Sequence, residues 1–237
     1  MPAAAAGRGH AGAMIGPVRH NPSTVVVLAG RTTEQVLAAV GQSLNVVLVR
    51  PSQPPSGPDA GAGAGLDAAA GALRRAAGIT APYVLVVADP LSSVAAAWQA
   101  MWAVTAEPRG SDEFELRAAE AMAAWRAKLF ELPDYYLVLA DETAAGVADA
   151  PGAAAPGAGD RGADFYLGPL RAVRPNRVSV AAGTAPEAQA DALLSELGSL
   201  RPGPWWPSLD EVFRTARGFY PGTLAESPSA GKASLLS

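Results

Sequence analysis

Five residues that could bind an anion or hold a metal ion follow short apolar runs of the chain. A glycine, an arginine and a threonine come directly after the run 24–29, where they offer backbone amides, a guanidinium and a hydroxyl at the start of a helix. An aspartate follows each of two later runs, and carboxylates bind Mg²⁺ or orient a substrate. If the strands are parallel, these residues share one edge of a sheet, the edge at which open sheets bind ligands. The candidate ligand-binding residues there are Gly30, Arg31, Thr32, Asp89 and Asp141.

Each of these residues also has an ordinary structural interpretation. Thr32 can be the N-cap of the following helix, because short strand-to-helix loops commonly end in threonine. Asp89 precedes Pro90, and aspartate at such a position, like Asp141, commonly ends a strand or begins a turn. Residue types alone leave both interpretations open.

Three arginines at intervals of three residues form a second candidate anion site. Arg171, Arg174 and Arg177 surround a turn predicted at Pro175 and Asn176. Guanidinium groups bind phosphate and carboxylate through paired hydrogen bonds, so this cluster could hold an anionic ligand. Exposed loops also carry charge for solubility alone, which is the alternative interpretation.

Aromatic residues are concentrated near the C-terminal end of the chain. Such side chains usually anchor a core, because each buries about 150–250 Å². Tryptophan and tyrosine also dominate the energetics of protein interfaces, so part of this group could bind a partner protein. The candidate partner-binding residues are Trp205, Trp206, Phe213, Phe219 and Tyr220.

Several classes of function are disfavoured by what the sequence lacks. There is no cysteine, and the two histidines, His10 and His20, lie in a segment predicted to be disordered. We therefore expect no thiolate or histidine metal site and no catalytic triad, and we assign no catalytic residue. The sequence contains neither GxxxxGK[ST] nor GxGxxG after its first apolar run, so no cofactor is predicted. A net charge of -4 disfavours nucleic acid as a partner.

The elements that must position these residues follow from an alternation of apolar runs and helix-period segments. Runs rich in valine and leucine at 24–29, 45–50, 83–88 and 135–140 predict strands that are covered on both faces. Helices are predicted between them, and after Thr184 and Ser208, which are expected to cap their helices. Residues 164–170 and 177–182 predict a C-terminal hairpin or a pair of edge strands. The fold class is α/β, with a mostly parallel central sheet of roughly four to six strands, three layers, and short terminal helices.

Four segments rich in glycine, proline and alanine divide the chain. We expect disorder at 1–21 and 221–237, and flexible linkers at 51–65 and 143–163 within a single α/β domain spanning 22–220. The apolar runs are far shorter than the roughly 20 residues that span a bilayer, and no signal peptide is recognised, so we expect a cytoplasmic protein without membrane contact.

Two hypotheses of function remain. The favoured one is a non-catalytic accessory or interaction module that binds a partner protein or a small anionic ligand. The alternative is a carboxylate-dependent enzyme acting on a phosphorylated or nucleotide-like substrate at the carboxyl edge of the sheet. The alternative requires Gly30, Arg31, Asp89 and Asp141 to converge.

Overall fold

Five parallel strands form the centre of the domain. The computed structural model describes residues 23–30, 32–52, 62–102, 111–140 and 163–219. The strands lie in the order β2-β3-β1-β4-β5, and every neighbouring pair is parallel. This arrangement confirms the predicted α/β class and the mostly parallel sheet. The strands are β1 (Thr24–Gly30), β2 (Val46–Val49), β3 (Tyr83–Val86), β4 (Tyr135–Ala140) and β5 (Val178–Ala182).

Helices cover both faces of the sheet, so the side chains of successive strand residues, which point to opposite faces, are all buried. In β1, Val26 and Leu28 pack on the first face of the sheet and Val25 and Val27 on the second, and all six residues of β4 are buried. Helices α1 and α5 cover the first face; α2, α3, α4, α6 and the helical segment 163–173 cover the second. The helices are α1 (Glu34–Val40), α2 (Ala62–Ala77), α3 (Ser92–Trp102), α4 (Ser111–Arg126), α5 (Pro186–Ser199) and α6 (Leu209–Gly218).

The strand order creates a crevice beside β1. The chain leaves β1 for α1 on one face of the sheet, whereas it leaves the adjacent β3 for α3 on the opposite face. Loops that diverge from neighbouring parallel strands open a gap at the carboxyl edge, and this is where doubly wound sheets bind ligands.

Of the two C-terminal strands predicted as a hairpin or as a pair of edge strands, the second forms as β5 at the edge of the sheet, but the strand predicted at 164–170 is wrong. Residues 163–173 are helical, with a π-helical turn at Tyr166–Leu170, and β5 pairs in parallel with β4. Two physical reasons account for the difference. Pro169 has no N–H group to donate to a sheet ladder. The buried side chains of Phe165 and Leu170 pack into the core on the second face of the sheet, which a helix allows.

Three predicted helix caps also differ in detail. Thr33, not Thr32, caps α1: its hydroxyl accepts from the Val36 amide at 3.3 Å. The N-cap of α5 is Ala185 rather than Thr184, because Pro186, whose fixed φ suits the first helical position, begins the helix and makes the residue before it the N-cap. Ser208 is the N-cap of α6, but its side chain makes no capping hydrogen bond.

The predicted domain limits fall largely outside the described residues. Helix α2 begins at Ala62, inside the segment 51–65 that was predicted to be a linker. The segments 1–21 and 221–237, and nearly all of 143–163, lie outside the described ranges, so their predicted disorder stays a prediction. In the part of the chain that the structure describes, no helix has both the length and the apolar character needed to cross a bilayer.

Candidate functional site

A pocket of about 370 Å³ opens at the carboxyl edge of the sheet, in the crevice beside β1. This volume lies in the range of sites for small molecules. Backbone and small side chains from β1, the β3–α3 connection and α2 form most of its wall, and a few polar groups face it. The lining residues are Leu28, Ala29, Gly30, Thr32, Pro51, Gly65, Ala68, Ala69, Val87, Ala88, Asp89, Ser92 and Tyr166.

The pocket therefore brings together three of the five residues predicted at this edge. Gly30, Thr32 and Asp89 all line it, although they come from two different strand ends. Arg31 and Asp141, the other two, lie outside the described residues.

Gly30 is the position where β1 must turn past its neighbour. Its φ of +87° is a conformation that L side chains rarely adopt, and a Cβ here would lie 2.5 Å from the Leu139 carbonyl oxygen of β4. Glycine is the residue that satisfies both conditions. Its backbone consequently reaches the pocket without a side chain in the way.

Asp89 is a buried carboxyl group, 9% exposed, in the pocket wall. Its Oδ1 accepts from the Leu91 amide at 2.9 Å and from the Tyr136 hydroxyl at 3.1 Å, and its Oδ2 accepts from the Tyr166 hydroxyl. Burial raises the pKa of Asp89 to about 6, although these three donors act in the opposite direction. The bond to Leu91 is the aspartate turn that the structural interpretation anticipated. Asp89 thus ends β3 and lines the pocket as well.

Both tyrosines beside Asp89 are neutral donors. Burial and the neighbouring carboxylate raise the pKa of Tyr136 and of Tyr166 well above the usual value. Tyr136 comes from β4 and Tyr166 from the π-helical turn, so three separate parts of the chain meet at this carboxyl group. The rings of the two tyrosines lie 5.6 Å apart.

The sequence analysis missed Tyr166 and Ser92 as pocket residues. Tyr166 had been placed in a strand of the predicted hairpin, which hid its approach to Asp89. Ser92, the first residue of α3, had a visible signal: it begins a helix three residues after an aspartate predicted to lie at the ligand-binding edge.

The pocket wall carries little formal charge. Among the described lining residues the only ionisable side chains are those of Asp89 and Tyr166. Helix α3 begins at the pocket with Ser92, so partial positive charge from its N-terminus is directed there, whereas α2 lines the pocket with one of its sides, through Gly65 and Ala68. The described residues contain no group of three or more acidic or histidine side chains suited to a metal ion.

The arginine cluster is placed at the opposite edge of the sheet. Arg177 directly precedes β5, and the residue is 8% exposed. It donates to the carbonyls of Asp134, Gly203 and Pro204 at 3.0, 2.7 and 3.1 Å, and it stacks between two aromatic rings at about 5 Å. These bonds tie residues 203–205 to the amino ends of β4 and β5.

The other two arginines do not complete an anion site. Arg174 donates to the carbonyls of Trp205 and Val173 at 2.7 and 2.9 Å, whereas Arg171 is exposed. Backbone carbonyls thus occupy donors that a ligand would need, and the three side chains do not converge on the pocket with Gly30 and Asp89.

Most of the predicted partner-binding aromatics serve the core. Trp206 is 6% exposed, and its indole N–H donates to the Pro133 carbonyl at 2.7 Å. Phe213 is buried against Phe114, with ring centres 6.3 Å apart. Trp205 and Phe219 are half-buried; the Phe219 ring lies 6.5 Å from that of Trp98, and Tyr220 is outside the described residues. Little of this aromatic surface is therefore available to a partner protein.

Comparisons of the chain with protein-family models, with curated proteins and with solved structures found no match. The chemistry of the pocket is consequently the basis for any functional assignment.

Proposed function

We propose that the protein is a cytoplasmic, non-catalytic α/β module that binds a small anionic ligand in the pocket at the carboxyl edge of its sheet. The observation that carries this proposal is the position of the pocket: it lies where the loops after β1 and β3 diverge, the place at which doubly wound sheets bind ligands. Its volume of about 370 Å³ suits a small molecule.

The polar groups of the pocket wall favour a small anion, although no described lining residue has a cationic side chain. The hydroxyls of Thr32 and Ser92 are hydrogen-bond donors, and the backbone at Gly30 is accessible because no side chain covers it. Helix α3, of 11 residues, begins at the same space with Ser92, so partial positive charge from its N-terminus is directed there. A carboxylate, sulfate or phosphate ester fits this set of donors.

A small ligand is a better candidate than a partner protein. The aromatic residues that suggested an interface, Trp206 and Phe213 above all, are committed to the core. The arginines that could have supplied charge-based recognition, Arg174 and Arg177, are bonded to backbone carbonyls. Binding of a protein would need another surface.

A second candidate, the carboxylate-dependent enzyme, is favoured by one observation. Asp89 lies in the pocket wall and has a pKa raised to about 6, as carboxyl groups that act in acid–base catalysis commonly do. Against it, both carboxyl oxygens already accept hydrogen bonds. Turnover of a phosphate ester that is abolished by Asp89→Asn would favour the enzyme; ligand binding without turnover favours the module.

Isothermal titration with a panel of small anions and their neutral analogues tests the proposal. Ala68 lines the pocket from α2, so Ala68→Phe should fill the site and abolish binding of any anion that the wild-type protein binds. The matched control is Ala96→Phe on the exposed side of α3, which should bind as the wild type does. Equal binding by the two variants, or no anion preference over neutral analogues, would contradict the proposal.

A further inference from the structure

Asp89 is the feature of the pocket that anion binding alone does not explain. A carboxylate in the wall of an anion site repels the ligand, because like charges in a partly buried site interact strongly. The group is nevertheless there, buried, and held by neutral donors only: the Tyr136 and Tyr166 hydroxyls and the Leu91 amide. No described Lys or Arg side chain donates to it.

We propose that the pocket takes up one proton together with its anionic ligand, and that the Asp89 carboxylate receives this proton. The inference rests on the proposed function, since it concerns the same pocket and the same class of ligand. In the bound state the site then holds one negative charge fewer than ligand and carboxylate would bring together.

The geometry gives the proton a definite place. It comes from solvent and bonds to a carboxyl oxygen of Asp89, which becomes a neutral acid. The Tyr166 hydroxyl, which donates to Oδ2 of the ionised group, can accept from the protonated one, because a hydroxyl both donates and accepts. Its own hydrogen is then free to rotate towards the ligand. Tyr166 lines the pocket, so protonation of Asp89 converts this side chain into a ligand donor.

Among the described groups at this site, Asp89 is the one that titrates near neutral pH. Tyr136 of β4 and Tyr166 of the π-helical turn stay neutral, because burial raises the pKa of each well above its usual value. From β1, α2 and α3 the pocket receives backbone, aliphatic and hydroxyl groups. The chain has two histidines, both in the segment 1–21. Burial raises the pKa of Asp89 to about 6, and a bound anion raises it further.

Titration of the full chain with sulfate at a series of pH values tests the coupling. Sulfate is the probe because it stays fully ionised over the range used, and chloride holds the ionic strength constant. The dissociation constant of the wild type should increase about tenfold between about pH 5.5 and pH 8. Titrations in buffers of different ionisation enthalpy should show proton uptake at pH 7.

Three variants separate the possible outcomes. Asp89→Asn, which has the same shape, should bind sulfate with an affinity that does not change with pH. Tyr136→Phe removes one donor to the carboxylate and should move the midpoint of the pH dependence upward. Asp191→Asn, at an exposed aspartate of α5 that does not line the pocket, is the control and should keep the wild-type profile.

Two different failures remain distinguishable. If the wild type binds sulfate equally well at every pH, or if Asp89→Asn keeps the pH dependence of the wild type, the coupling is wrong and the anion site stands. If neither the wild type nor Asp89→Asn binds sulfate or any other anion at any pH, the proposed function itself is wrong.

Discussion

Replacing Asp89 by asparagine should stabilise the protein at neutral pH, and the gain should vanish in acid. In the folded protein burial raises the pKa of this carboxyl group from 3.8 to about 6. Below about pH 3.8 the group is neutral in both states and does not disfavour folding. As the pH rises towards 6 the unfolded chain ionises first, so the free energy of unfolding of the wild type falls. The pKa difference corresponds to about 3 kcal/mol, all of it lost above pH 6.

Asparagine keeps the shape and most of the hydrogen bonds of this site. Its amide oxygen accepts from Leu91 and Tyr136, and its amide nitrogen donates to the Tyr166 oxygen. Urea unfolding followed by tryptophan fluorescence between about pH 4 and pH 7 measures the effect. The advantage of Asp89→Asn over the wild type should grow by about 2.5 kcal/mol across this range, whereas exposed Asp191→Asn shows no such trend. A constant difference between Asp89→Asn and the wild type at all pH values would refute the reasoning.

Two further substitutions test structural assignments, one at the pocket and one at the opposite edge of the sheet. Gly30→Ala should lower the free energy of unfolding by more than about 2 kcal/mol, because its Cβ would meet a strand carbonyl at 2.5 Å and its φ is +87°. Gly198→Ala on α5, where nothing lies within 4 Å, should instead raise it by about 0.5–1 kcal/mol. Arg177→Met should cost about 3 kcal/mol, since three backbone carbonyls lose their donor, and exposed Arg171→Met should cost less than about 0.5 kcal/mol. Denaturant unfolding measures all four, and equal effects within either pair would contradict the corresponding assignment.

The sheet was largely predictable because its strands are buried on both faces. Such strands read as continuous runs of valine and leucine, and the predicted run 24–29 differs from β1 (Thr24–Gly30) by one residue. The segment 163–173 was not predictable in the same way, because a short apolar run fits a buried helix as well as a strand. Strand order, which places β1 between β3 and β4, depends on tertiary packing.

The pocket was predictable only where its residues follow strand ends. Gly30, Thr32 and Asp89 do so, and the rule that parallel strands share their carboxyl edge brings them together. Tyr166 is 77 residues from its partner Asp89 in the sequence, and no pattern in the sequence around Tyr166 indicates the contact. For Arg177 the local pattern was misleading. The regular spacing of the arginines does not reveal that the Arg177 guanidinium donates its hydrogen bonds to the carbonyls of residues 203 and 204.

The location of a bound anion tests the central claim most directly. A crystal structure with selenate, which has the shape of sulfate and scatters anomalously, would locate such an anion without reference to activity. We expect selenium in the pocket, within hydrogen-bonding reach of the Thr32, Ser92 and Tyr166 hydroxyls and of the backbone at Gly30. An empty pocket under conditions in which the protein binds selenate in solution, with selenium found at another surface, would contradict the account.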